Sequence, residues 1–116
     1  MARDAHKGTG HFIGQRASAV ALIVLASWFV LSAALTMPSP SYEAALDFVT
    51  APVNAVGLVL LIVVGLYHMR LGMQVVIEDY IHKPSSRDAL LLLNLLAPLA
   101  LGAAALFALL VVNFGA

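Results

Sequence analysis

Apolar residues fill three long windows, 17–37, 52–69 and 89–116, in which His68 is the one member drawn from Asp, Glu, Lys, Arg and His. A hydrocarbon core of roughly 30 Å takes about 20 helical residues at about 1.5 Å each, so each window predicts a membrane span. The first holds 21 residues before Pro38 and Pro40 stop it. Its flank, MARDAHKGTGHFIGQR, is polar and basic and raises the question of a secretory signal. Twenty-one apolar residues exceed the roughly 7 to 15 of a signal h-region. Further spans follow, and the expectation is an uncleaved first helix.

The connection after span one has its own pattern. Tyr42, Ala45, Leu46 and Val49 fall at i, i+3, i+4 and i+7, with Glu43 and Asp47 on another face, which predicts a short interfacial helix over 41–49. Pro52 suits the first turn of the next helix, where its missing N–H costs nothing. That helix runs on beyond its apolar window and is longer than a bilayer needs. Lys83-Pro84 breaks it, and Ser85 with Asp88 three residues on reads as a capping box opening the third span. Pro98 predicts a kink there, which neighbouring helices tolerate. The expected fold is all-α and integral to the membrane, one domain over 1–116, with spans at about 17–37, 52–78 and 88–113.

Composition agrees. The chain has 116 residues, of which 62% are hydrophobic and only 10% charged, against about 25% charged in soluble domains. Zero formal net charge leaves no basic footprint for nucleic acid. Without cysteine there is no disulfide framework, thiolate zinc site or Cys-ligated cluster, and any metal must use His, carboxylate or Met. Arg3, Lys7 and Arg16 precede span one, Lys83 and Arg87 lie between spans two and three, and 38–51 has no Lys or Arg. The positive-inside rule then places the N-terminus and second loop in the cytoplasm and the C-terminus outside, which for a bacterial inner membrane is the periplasm.

Ionisable groups inside a membrane are functional candidates by default, which singles out His68. Its imidazole can bind a metal such as haem iron through one nitrogen. Gly65 and Gly72 lie within about 60° and 40° of its face at about 100° per residue, where small residues let a flat porphyrin approach the backbone. The alternative is a neutral histidine hydrogen-bonded to a neighbouring helix, with both glycines as packing notches.

The segment HMRLGMQVVIEDYIH, with His68, Gly72, Gln74, Asp79 and Tyr80, resembles the second span of the small cytochrome b membrane anchor of succinate dehydrogenase, the D-type anchor. HFIGQRASA before span one and the three-span layout resemble the same family. The resemblance implies an anchor in respiratory complex II, the succinate dehydrogenase of the tricarboxylic acid cycle. Its partners would be a second haem-binding anchor subunit of the C type, an iron-sulfur subunit and a flavoprotein. It implies His68 as one axial ligand of haem b, with the other from the partner anchor. His82 lies 14 residues away, roughly 21 Å along a helix, and His6 and His11 are outside the windows. It further implies that Tyr80 hydrogen-bonds a ubiquinone carbonyl with Asp79 beside it, and makes Arg16 and His11 candidates to meet a haem propionate. The dehydrogenase chemistry itself would lie in another subunit.

Other polar residues divide between roles. Arg16 also reads as a topology-setting charge, and Tyr80 with Asp79 as a membrane-belt aromatic beside a solvated carboxylate. Arg70 points to another side of the helix than His68 and suits a lipid phosphate, or else a propionate or partner contact. Trp28, Met69 and Met73 read as packing. Glu78, His82 and Lys83 suit either a solvated loop or the neighbourhood of the quinone and iron-sulfur partner. The anchor of a quinol:fumarate reductase fits the same pattern. A non-redox membrane protein, in which His68 and Arg70 serve proton movement or packing, is the rival from another class.

The charge asymmetry makes a topology prediction. A reporter active only outside the cytoplasm is expected to be active when fused after Ala116 and silent when fused at Ser85, and the reverse pattern overturns the orientation.

Overall fold

The computed structural model describes the backbone of residues 2–115 and the side chains of residues 8–115. Four helices follow one another: α1 (Ala2–Thr36), α2 (Tyr42–Thr50), α3 (Pro52–Tyr80) and α4 (Pro84–Phe114). Three of them are long and apolar enough to cross a membrane. Helix is the form this composition requires, because hydrocarbon offers no partner to a free N–H or C=O. The long axis of the bundle is 53 Å. α3 lies between α1 and α4, and α2 packs on α3 and α4.

Several boundaries differ from those expected. α1 reaches back to Ala2 and does not begin at the first apolar residue. The reason is tertiary. α3 overruns its apolar window by about three turns, and α1 meets the start of that overrun at His11, whose Nε2–H donates to the Leu71 carbonyl at 3.1 Å. α3 ends at Tyr80, two residues beyond the expected end.

α4 starts at Pro84, one turn before the expected 88, so Ser85 lies inside the helix and is not its cap. Lys83 occupies the cap position without a side-chain bond, and Pro84 suits the first helical position because it has no N–H to satisfy there. The helix continues through the buried Pro98 and closes on Gly115, whose φ of 66° is in the left-handed region that favours glycine.

α2 forms as expected, capped by Ser41 Oγ accepting from the Ala44 N–H at 3.2 Å. The face it turns to the bundle is offset from its apolar stripe. Ala44 and Phe48 point into the bundle, whereas Tyr42 is 75% exposed. Phe48 joins Trp28 and Phe29 in an aromatic cluster, with centroids 6.4 Å from Trp28 and 6.0 Å from Phe29. These separations fall in the range aromatic pairs prefer, and the cluster fixes which side of α2 turns inward.

No large side chain is fully buried among the described residues, and long rows of Val, Leu and Ile face outward. Contact between helices therefore relies on close approach and hydrogen bonds. A Cβ added to Gly57 would collide with the Trp28 ring, and one added to Gly14 would collide with the Tyr67 hydroxyl. Asn94 Nδ2 donates to the Arg70 carbonyl at 2.9 Å, tying α4 to α3, and Asn113 Nδ2 donates to Val49 O at 3.1 Å, tying α4 to α2. Such bonds contribute on average about 0.6 kcal/mol each in membrane proteins.

The Trp28–Gly57 approach is testable. Gly57→Ala is expected to cost about 1 to 3 kcal/mol through overpacking, because a rigid indole cannot move aside. Gly10→Ala, where nothing lies within 4 Å, is expected to be neutral or to gain up to about 1 kcal/mol of helix propensity. Thermal unfolding of the detergent-solubilised protein checks both.

Candidate functional site

The register between α1 and α3 positions the site. Trp28 meets Gly57 and Tyr67 meets Gly14 in an antiparallel crossing, which brings Ser18 opposite His68. From Ser18 to Trp28 and from His68 to Gly57 are ten and eleven residues, about 15 and about 16 Å, so the two helices keep step. Ser18 is the buried polar residue of this interface, 5% exposed. Its Oγ lies 2.8 Å from His68 Nδ1 and 3.1 Å from the Gln15 carbonyl, to which it donates.

His68 is half-buried, with Nδ1 engaged and Nε2 without a partner among the described residues. The glycines around it behave differently from those that seat α1. A Cβ on Gly65 would meet Leu22 Cδ2 at 3.9 Å, and one on Gly72 would meet Gln15 Nε2 at 3.5 Å, both ordinary contacts. Packing within the chain therefore does not require glycine at either position. Both glycines face α1, one turn either side of an imidazole with a free nitrogen. Gln15 adds a second unused polar group there, since its Oε1 is buried and has no hydrogen-bond partner. No cluster of three or more His, Cys, Asp or Glu exists among the described residues. A metal held here would need ligands from outside this chain as well, as an iron carried by a porphyrin has.

Arg16 lies two residues before Ser18, and Arg70 two beyond His68, so in the antiparallel pair both guanidinium-bearing positions share a depth just past the imidazole. Toward the other side, 17–36 and 50–69 each supply 20 residues without an Asp, Glu, Lys or Arg, about the thickness of a hydrocarbon core. By this measure His68 sits near one margin of the apolar slab. Arg16 is exposed and places its guanidinium 5.2 Å from the centroid of the Phe12 ring, one helical turn away. Arg70 turns the other way. It lines a groove of about 300 Å³ between α3 and α4 with Leu66, Tyr67, Pro98 and Gly102.

His11 is held in place by its bond to Leu71 O. With Nε2–H donating there, Nδ1 can also donate only when the ring is an imidazolium. Asp79 and Tyr80 close α3, both exposed. They do not converge with His68 into one pocket. Tyr80 lines a groove of about 350 Å³ with Met73, Ile77, Leu90 and Leu93, on the α4 side of α3. Gln74 is occupied by Glu78, its Nε2 donating to Oε1 at 2.8 Å. His82 and Lys83 are exposed in the 81–83 link. Arg3, His6 and Lys7 have side chains outside the described residues.

Ser18 and Gln15 are the site residues that sequence reasoning missed. A serine in an apolar helix is a weak signal because it can satisfy itself on its own backbone, as Ser32 does on the Phe29 carbonyl at 3.4 Å. Only the α1–α3 crossing distinguishes Ser18 from Ser32.

Residues 2–112 match the family model described as succinate dehydrogenase/fumarate reductase transmembrane subunit. A succinate dehydrogenase hydrophobic membrane anchor subunit of Paracoccus denitrificans is 33% identical over 113 residues, 97% of this chain and 86% of its own. The protein of the same name from Rickettsia bellii is 33% identical over 89 residues, 77% of this chain and 70% of its own. The Rickettsia conorii relative is 31% identical over 90 residues, 78% and 71% of the two chains. No solved structure gives a significant match.

Proposed function

The chain belongs to the succinate dehydrogenase/fumarate reductase transmembrane-subunit family, and from that premise we propose that it anchors a succinate dehydrogenase while contributing one axial ligand to a haem b and part of a ubiquinone-reduction site. It is a membrane anchor, not the catalytic dehydrogenase subunit, and an anchor implies a complex with other subunits. Those partners are a second, C-type anchor that supplies the opposing haem ligand, an iron-sulfur subunit and a flavoprotein on the cytoplasmic side of a bacterial inner membrane.

The observation that carries this reading is the state of His68. Its imidazole is fixed by Ser18 at 2.8 Å, keeps Nε2 without a partner among the described residues, and lies between two glycines that the chain's own packing does not need. Haem bound there supplies a one-electron redox centre within the bilayer. His68 contributes the ligand nitrogen, Gly65 and Gly72 admit the ring edge, and Arg16, at the charged margin, pairs with a propionate. Arg–carboxylate pairing is strong and often bidentate, whereas His11 joins it only when protonated. Arg70, directed into the α3–α4 groove, suits a lipid phosphate better than the haem side.

Reduction of the quinone to the quinol takes two electrons and two protons. The electrons come from the iron-sulfur subunit. The phenol O–H of Tyr80 donates a hydrogen bond to one quinone carbonyl, which stabilises the negative charge that develops on that oxygen. Asp79, one residue away and open to water, relays protons to the site. Both side chains are exposed in this chain and so are available to a pocket completed by other subunits.

Replacing His68 with a non-ligating residue is expected to convert a low-spin b-type spectrum to high-spin or to lose the haem. An unchanged low-spin spectrum in the mutant complex overturns the assignment. Tyr80→Phe keeps the ring and deletes the hydroxyl, so a belt aromatic tolerates it and a quinone donor does not. The expected loss is about 0.5 to 1.5 kcal/mol for an ordinary hydrogen bond and more if the bond strengthens as charge builds on the carbonyl. Quinone reductase turnover falls several-fold or more, while the haem spectrum and succinate oxidation with an artificial upstream acceptor stay near wild type. Equal quinone-linked rates with the complex intact return Tyr80 to the membrane belt.

A further inference from the structure

We propose that Ser18 is a positioning residue that holds His68 in the tautomer with its proton on Nδ1, and so decides both which nitrogen faces the iron and how electron-rich that nitrogen is. This inference rests on the reading of His68 as a haem ligand. A serine hydroxyl has one proton to give and two lone pairs to accept with. The Gln15 carbonyl can only accept, and it takes the Ser18 proton at 3.1 Å. The 2.8 Å contact with His68 is then filled by the ring's own proton, Nδ1–H donating to Oγ. A neutral imidazole carries a single N–H, so Nε2 is left with its lone pair free.

Burial makes this arrangement binding. Ser18 is 5% exposed, so no water competes for its lone pair. The opposite arrangement, with the hydroxyl donating to Nδ1 and the ring proton on Nε2, leaves the Gln15 carbonyl without the hydroxyl proton and blocks the ligating nitrogen. Ser18 differs in this from Ser32, whose hydroxyl also donates to its own helix but reaches no side chain on another.

Donation from Nδ1–H to an oxygen raises the basicity of the ligating nitrogen and favours ferric over ferrous iron, which lowers the midpoint potential. The bond also joins two helices, so the ring orientation is set by the α1–α3 crossing and not by α3 alone.

The test uses the intact complex carrying Ser18→Ala, Ser18→Thr or a non-ligating replacement of His68. Its readouts are redox titration of the haem bands, low-temperature electron paramagnetic resonance and thermal unfolding. Ser18→Ala is expected to raise the midpoint potential by about 59 mV for each tenfold loss of ferric preference and to shift the low-spin g-values, with the unfolding midpoint near wild type. Ser18→Thr keeps the hydroxyl and is expected to return both spectroscopic quantities toward wild type. If Ser18→Ala keeps the wild-type potential and g-values while the His68 replacement abolishes the low-spin signal, Ser18 is only packing and the inference falls with the ligand assignment intact. If the His68 replacement leaves the low-spin signal unchanged, the ligand assignment itself falls. Should the Ala variant assemble without haem, haem retained at wild-type potential in the Thr variant supports the inference and haem absent from both overturns it.

Discussion

Lipid tails are as apolar as leucine, so no hydrophobic force drives one span against another. Everything else in this structure follows from how the α1–α3 contact forms without that force. Gly57 lets the Trp28 ring reach the α3 backbone, Gly14 admits the Tyr67 hydroxyl, and beside the second of these the Ser18–His68 bond spans the interface. Three contacts spaced along two antiparallel helices leave one register. That register carries the imidazole to a defined depth and direction, so the packing device and the chemical device are the same contact.

The chain is otherwise poor in interior. Among the described residues its buried apolar side chains are Ala44, Phe48, Leu58, Leu71, Ile77 and Pro98, far fewer than its exposed Val, Leu and Ile. In water this surface would be a liability. In a membrane complex, lipid and partner subunits cover it. The functional groups follow the same pattern of incompleteness: His68 offers a nitrogen with no partner among the described residues, Gln15 an unpaired carbonyl oxygen, and Tyr80 and Asp79 stand exposed at the end of α3. Each is positioned by this chain and left open to a partner from outside it.

The site also has two sides. His68 faces α1, while Arg70 and Tyr80 line grooves between α3 and α4. The 29 residues of α3 are enough to carry about 15 Å of helix past the level of the arginines, which separates His68 from Tyr80 in depth as well as direction. On the proposed reading of His68 and Tyr80, electron-carrying and proton-accepting chemistry would occupy different environments along one rigid element.

Sequence alone determined the three spans, the short helix between the first two, and His68 as the residue to explain. These are consequences of local chemistry: a charge-free run of about 20 residues has one stable form in hydrocarbon, and an ionisable side chain in such a run stands out on any reading. The family was legible too, because its motif residues lie within a single helix. Tertiary structure decided the rest. His11 reads as part of a polar flank until the overrun of α3 brings the Leu71 carbonyl to it. Ser41 caps α2 as a local rule predicts, but Ser85 does not cap α4, because Pro84 already opens that helix. Ala44 and Phe48 turn inward, offset from the apolar stripe of α2, because Trp28 and Phe29 lie on that side. Ser18 became part of the site through a residue 50 positions away. Periodicity records what each helix does alone, and a hydrogen bond between two helices depends on a crossing that neither sequence segment contains.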